Sequence, residues 1–234
     1  MREIRPVGER GWRAAMRLVP SLLLAGALAA QGPAKSDFVD ISTIPGVRIE
    51  LRYATTNNFL GVNVYGSFHT AYLHRRAAEM LRKAAEQLQK DKPGWSLLVF
   101  DALRPRSVQR IFWAKVKGTP QEMYVADPEA GSIHNYGFAV DLTLLDAQGK
   151  EVDMGTPFDS FDPLAQPQLE ERFLIAGKLS GEQVANRKVL RAAMTKAGFI
   201  QLPVEWWHFD ALTRVEIQGQ YKIVEEFPVP GVNR

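Results

Sequence analysis

Cysteine is absent from the 234 residues. No disulfide can therefore staple the fold, and a cysteine-linked lipid anchor is excluded. Histidine is scarce, with only His69, His74, His134 and His208. No apolar run approaches the roughly 20 residues that a bilayer-spanning helix needs. The nearest is VPSLLLAGALAA, which follows an arginine-rich start and ends in small residues. A basic segment, a short apolar segment and an A-x-A-like end at Ala27-Leu28-Ala29 make the pattern of a secretory signal peptide. Residues 1–30 are read as that leader and 31–234 as one mature domain, periplasmic or secreted, with no membrane anchor after cleavage.

A basic surface is missing as well. The leader holds five arginines and two glutamates, and removing them from 29 basic and 26 acidic residues leaves 24 of each. The pI near 9.1 thus belongs to the leader, and a nucleic-acid partner is not expected. About 200 residues can still bury an adequate core without disulfides. Internal repeats, heptads and low-complexity tracts are absent too.

The hydrophobic patterns that remain are short and mixed. VRIELRYAT (47–55) alternates as a half-buried strand, and NNFLGVNVYG (57–66) is a loop. From Ala71 to Lys90 the apolar positions Leu73, Ala77, Leu81, Ala84 and Leu88 predict a helix, with Glu79–Lys83 as a solvated i,i+4 pair. SLLVFD (96–101) is a continuous apolar strand, and a second helix opens at Pro105 or Arg106. VDLTLLD and EVDM form a hairpin with Gly149 in its turn. Ser180 to Gln183 is a capping box that opens a helix to Lys196, stopped by Gly198. FIQL and WWHFD are strand-like. This mixture, without regular βαβ alternation, predicts a single α+β domain with a mainly antiparallel sheet packed with helices.

The chemistry-bearing residues concentrate in SIHNYGFAVD (132–141) and EWWHF (205–209). A hydrolytic zinc site uses about three protein ligands and keeps one position open for water. His134, Asp141 and His208 supply two imidazoles and a carboxylate, enough for one Zn2+ per chain. His-x6-Asp and Glu-x-x-His are each weak signals alone and stronger together. Glu205 is the candidate proton shuttle. In a straight strand, residues three apart face opposite ways, so a turn or bulge is required at Pro203–Trp206. Arg104, at the end of a buried strand and stiffened by Pro105, suits an oxyanion or a structural bridge to Asp101. His69 and His74 are read as bystanders, with Arg75 and Arg76 disfavouring a charge on His74. Trp206 and Trp207 are read as core and pocket wall.

These residues resemble the D-alanyl-D-alanine dipeptidases of the VanX type, in the zinc D,D-peptidase family with its hedgehog-like fold. LRYATTNNFLG, LLVFDALRPRS, SIHNYGFAVDLTL, DMGTPFDSF and VEWWHF occur in the same order and span nearly all of 31–234. The resemblance implies zinc on His134, Asp141 and His208, Glu205 as base and Arg104 on the tetrahedral intermediate. It further implies that Tyr53, Asp101, Ser132 and Asp159 line the substrate pocket, with Asp159 near the ammonium and Ser132 near the carboxylate. Asn135-Tyr136 stands where the dipeptidases commonly carry Ser-Arg, and SFDPLAQPQ replaces an acidic, histidine-bearing segment. Both departures bear on substrate choice. The expected activity is hydrolysis of D-Ala-D-Ala. Carboxypeptidase or endopeptidase action on peptidoglycan stem peptides is the alternative, followed by a non-catalytic, zinc-containing cell-wall binding module.

Overall fold

A computed structural model describes residues 37–227; the expected leader lies outside them. Among the described residues seven strands form: β1 (Phe38–Asp40), β2 (Val47–Ile49), β3 (Tyr72–His74), β4 (Ser96–Asp101), β5 (Ala139–Leu145), β6 (Ile200–Gln201) and β7 (His208–Asp210). The helices are α1 (Arg75–Asp91), α2 (Arg106–Val116), α3 (Glu170–Ile175), α4 (Gly181–Lys196) and α5 (Arg214–Ile217). β1 and β3 pair as a small antiparallel ribbon, and the other strands make one sheet in the order β2-β4-β5-β7-β6. β2 and β4 run parallel, while the remaining three pairs are antiparallel. This is the α+β class, with a mainly antiparallel sheet.

Burial explains the strand patterns. Leu97, Leu98, Val99 and Phe100 are all buried, and neighbouring residues face opposite sides, so β4 is covered on both faces. Ala77, Leu81, Ala84 and Leu88 form the buried stripe of α1, which packs on α4 and β4. The small alanines allow a close approach. α4 starts at Ser180, whose Oγ accepts from the Gln183 N–H at 3.0 Å while Gln183 Oε1 accepts from the Ser180 N–H at 2.9 Å.

Four details differ from the sequence reading, each for a local reason. The alternation at 47–55 pairs as a strand only to Ile49; Arg52–Ala54 then form a 3-10 turn. Tyr53 is buried by packing on Phe112, with ring centroids 4.5 Å apart, and not by a strand period. The first helix begins at Arg75, because Tyr72–His74 pair with β1 and the His74 imidazole caps the helix by accepting from the Arg76 N–H. Leu73 matches the helical spacing but is buried from a strand. Glu79 pairs with Arg82 at 2.6 Å instead of with Lys83. Finally, the EWWHF strand starts at His208, since the chain turns through Pro203 and Val204 and again at Trp206 and Trp207.

One glycine positions the functional region. Gly137 closes the 3-10 turn Ile133–Tyr136 at φ 71°. A Cβ there would lie 2.9 Å from the His74 backbone nitrogen. The left-handed conformation and this close approach both require glycine.

Candidate metal centre

Strand register brings the site together. Asp141 on β5 lies opposite His208 on β7 and, on its other side, opposite Asp101 on β4. A bulge at Phe100 shifts the β4 register just before Asp101, which re-aims that side chain. His134 arrives from the 3-10 turn Ile133–Tyr136, just ahead of β5. Ser132 caps this turn, its Oγ accepting from the His134 N–H at 3.3 Å, and Asn135 Oδ1 accepts from the Ser132 N–H at 2.7 Å.

His134 Nε2, Asp141 Oδ1 and His208 Nδ1 lie 3.0–3.4 Å from one another. All three residues are buried. His134 Nδ1 donates to the Ala102 carbonyl at 2.6 Å, so its Nε2 is a lone pair pointing at the centre. His208 Nε2 donates to Asp210 Oδ1 at 2.9 Å, so its Nδ1 faces the centre. Each imidazole is thus oriented by its outer nitrogen, the arrangement that metal-ligating histidines adopt.

The centre needs positive charge. Burial opposes a proton on His208, but Asp210 and Asp141 outweigh it and raise its pKa well above the ordinary value. Burial pushes the Asp141 carboxyl up, and His134 and His208 more than offset this, holding it well below the usual carboxylate range. A single proton can satisfy only one of the three close contacts. A divalent ion satisfies all three, and zinc takes imidazole nitrogen and carboxylate oxygen at about 2.0–2.2 Å. The donor set fits zinc.

Around this centre lies a cavity of about 360 Å³, at the small end of ligand pockets. Glu205 reaches it through the turn ahead of β7, with Oε2 3.8 Å from His208 Nδ1. Burial pushes its carboxyl up to about 8; His208 opposes this while Asp141 and Asp159 add to it. Arg104 also lines the cavity, and it is bridged to Asp101 at 2.7 Å. Its guanidinium carbon sits 4.4 Å from the centre of the Phe112 ring. Burial opposes the Arg104 charge, but Asp101, together with Tyr53, Tyr65 and Asp141, holds it above its ordinary range.

Of the pocket residues that the resemblance implies, Tyr53, Ser132 and Asp159 line the cavity. Asp101 does not. It is fully buried behind Arg104 and accepts a short hydrogen bond from the Tyr65 hydroxyl. His69 is exposed and His74 stacks on Phe138, both apart from the centre. Trp207 forms cavity wall, while Trp206 is core and donates to Thr156 Oγ1. Sequence reasoning missed Asp210, although an H-x-D pair on a strand places both side chains on one face. It also missed Gln109, which accepts from Arg104 Nη1 at 3.0 Å and donates to the Ala126 carbonyl at 2.8 Å.

Asp159 carries a testable electrostatic cost. It is the one non-glycine residue with positive φ among the described residues, at 61°. The Tyr53 hydroxyl donates to it at 2.7 Å. Burial nonetheless pushes its carboxyl up to about 7, with Asp141 adding to the rise. Folding therefore favours the protonated form, and stability present below the unfolded carboxyl range is lost as pH rises toward 7. Asp159→Asn does not titrate and asparagine tolerates this backbone conformation. Urea unfolding of the metal-free proteins is expected to show the variant gaining on the parent by on the order of 1–3 kcal/mol between pH 4 and pH 8. A pH-independent difference would contradict the buried-carboxyl reading.

Known proteins match most of the chain. The family model Peptidase_M15, described as D-ala-D-ala dipeptidase, matches residues 34–226. A D-alanyl-D-alanine dipeptidase of Escherichia coli K12 is 33% identical over 183 residues, covering 75% of this chain and 84% of the relative. One from Enterococcus faecium is 32% identical, covering 71% and 86%. Another from Streptomyces coelicolor is 30% identical, covering 74% and 89%. With the match running through the whole sheet and both segments that carry His134, Asp141 and His208, the chain belongs to the Peptidase_M15 family of D-ala-D-ala dipeptidases and is an enzyme of that metallopeptidase family.

Proposed function

We propose that this protein is an exported, zinc-dependent dipeptidase that hydrolyses D-Ala-D-Ala to free D-alanine in the periplasm or outside the cell. The observation that carries the reading is the convergence of His134 Nε2, Asp141 Oδ1 and His208 Nδ1 beside a carboxylate, Glu205, that is not needed as a ligand. The names of the relatives support the substrate.

Bound zinc would supply Lewis acidity and an acidified water. The chain supplies the rest. Glu205 takes the proton of the attacking water on a carboxylate oxygen and hands it to the leaving amine. Arg104, fixed by Asp101 and Gln109, presents its guanidinium to the developing oxyanion. Asp159 meets the substrate ammonium, because a buried unpaired charge is expensive, and Ser132 lies toward the carboxylate end. The small cavity favours a dipeptide over a wall-bound stem.

The test is a substrate panel. Zinc-loaded protein is expected to release D-alanine faster from D-Ala-D-Ala than from a pentapeptide stem ending in the same pair, with L-Ala-L-Ala a poor substrate. Faster release from the stem would make it a carboxypeptidase. Export is checked on the secreted product, whose first residue is expected just after Ala29 or Ala30; a product that retains Met1 would contradict it. No helix among the described residues is long and apolar enough to cross a membrane.

A further inference from the structure

Among the described residues, the basic side chains lining the cavity are paired with acids, with one exception. Arg104 is paired with Asp101, and His208 sits between Asp141 and Asp210. Arg214, at the start of α5, lines the same cavity and has no carboxylate within ion-pair distance among the described residues. Its Nη1 donates to the Ala130 carbonyl at 2.9 Å and its Nη2 to the Gly131 carbonyl at 2.7 Å. Two backbone carbonyls orient the guanidinium without cancelling its charge.

The position of this cation is informative. Ala130 and Gly131 lead directly into Ser132, so Arg214 stands at the Ser132 wall of the cavity. Asp159 belongs to another wall, where it accepts from the Tyr53 hydroxyl and the Phe59 N–H. The cavity thus carries a carboxyl group on one wall and an unpaired guanidinium on another, with the zinc ligands also in its lining. A short zwitterionic peptide has the complementary charges at its two ends. Guanidinium is also suited to carboxylate, since its planar fork can donate two parallel hydrogen bonds.

We propose that Arg214 is a specificity-determining residue that receives the free α-carboxylate of the substrate's C-terminal residue. This rests on the peptidase reading above and sharpens it. The enzyme would act only where the chain ends one residue beyond the scissile bond, which disfavours endopeptidase action.

The experiment compares D-Ala-D-Ala with its C-terminal amide on the zinc-loaded parent, Arg214→Gln and Arg214→Lys. The parent is expected to prefer the acid. Arg214→Gln should lose ~10- to 100-fold in kcat/KM for the acid, mostly through KM, the range of a hydrogen bond to a charged group. The amide should lose far less, so the preference collapses, and Arg214→Lys should restore part of it. Equal losses on acid and amide would mean that Arg214 only holds the 130–131 segment, and no loss on either would mean that it does not meet substrate; both overturn the proposal. Calorimetric binding of the two ligands to zinc-loaded Glu205→Gln, with and without Arg214→Gln, gives the same comparison without turnover. A failure of the hydrolysis reading is thereby separable from a failure of the carboxylate contact.

Discussion

Glu205→Gln is expected to lower kcat by ~10²- to 10⁴-fold, the span of a lost general acid–base, while the protein still binds one zinc. The separation of the two effects follows from geometry. Glu205 lies beside the ligand triangle, 3.8 Å from His208 Nδ1, and the three ligands converge without it. Glutamine keeps the shape and cannot accept the proton. KM should move little if the side chain acts only in the transition state. The substitution has a second signature in the metal-free protein. Burial pushes the Glu205 carboxyl up to about 8, so folding favours its neutral form and stability is lost as pH rises from the unfolded carboxyl range through about 8. The variant lacks that loss and should unfold later than the parent at pH 9, with a smaller advantage at pH 4. A binding module would keep its biological effect after this change. A catalyst would not, and unchanged turnover in the variant would remove Glu205 from the mechanism.

Loss of a ligand should act differently. His208→Ala removes a donor and also strands Asp210, which the imidazole otherwise satisfies at 2.9 Å. Zinc affinity should fall by more than the ~10- to 100-fold typical of an outer-shell change, and activity should fall with it. Asp210→Asn supplies that milder comparison, since it weakens the orientation of His208 and leaves the ligand in place. The expected order in zinc affinity is parent, then Asp210→Asn, then His208→Ala. If Asp210→Asn proved as damaging as His208→Ala, the outer partner would be structural in a way that orientation alone does not explain.

Much of this site was legible because its chemistry uses rare residues. With four histidines in the chain, the pairing of His134 with His208 left few alternatives, and Asp141 was named by its spacing from His134. The turn ahead of His208 followed from a simple facing rule, since a straight strand would have sent Glu205 away. Periodicity was less reliable. Leu73 satisfied a helical stripe and lies in a strand, because three residues of pattern do not distinguish a short strand from the first turn of a helix. Tyr53 satisfied a strand alternation and lies in a 3-10 turn, where aromatic neighbours from distant segments bury it. The bulge that turns Asp101 inward behind Arg104 had no sequence signal. Arg214 was the least visible, as its partners are backbone carbonyls more than 80 residues away in the chain, and backbone atoms leave no mark in a sequence.

Zinc titration of the chelator-treated protein by calorimetry asks whether two separate segments, 132–141 and 205–210, fold into one cation site. One equivalent of zinc should bind tightly to the parent, with protons released as His208 gives up its charge, and binding should weaken severely in both His134→Ala and His208→Ala. Absence of binding in the folded parent, or tight binding that survives loss of either histidine, would contradict it.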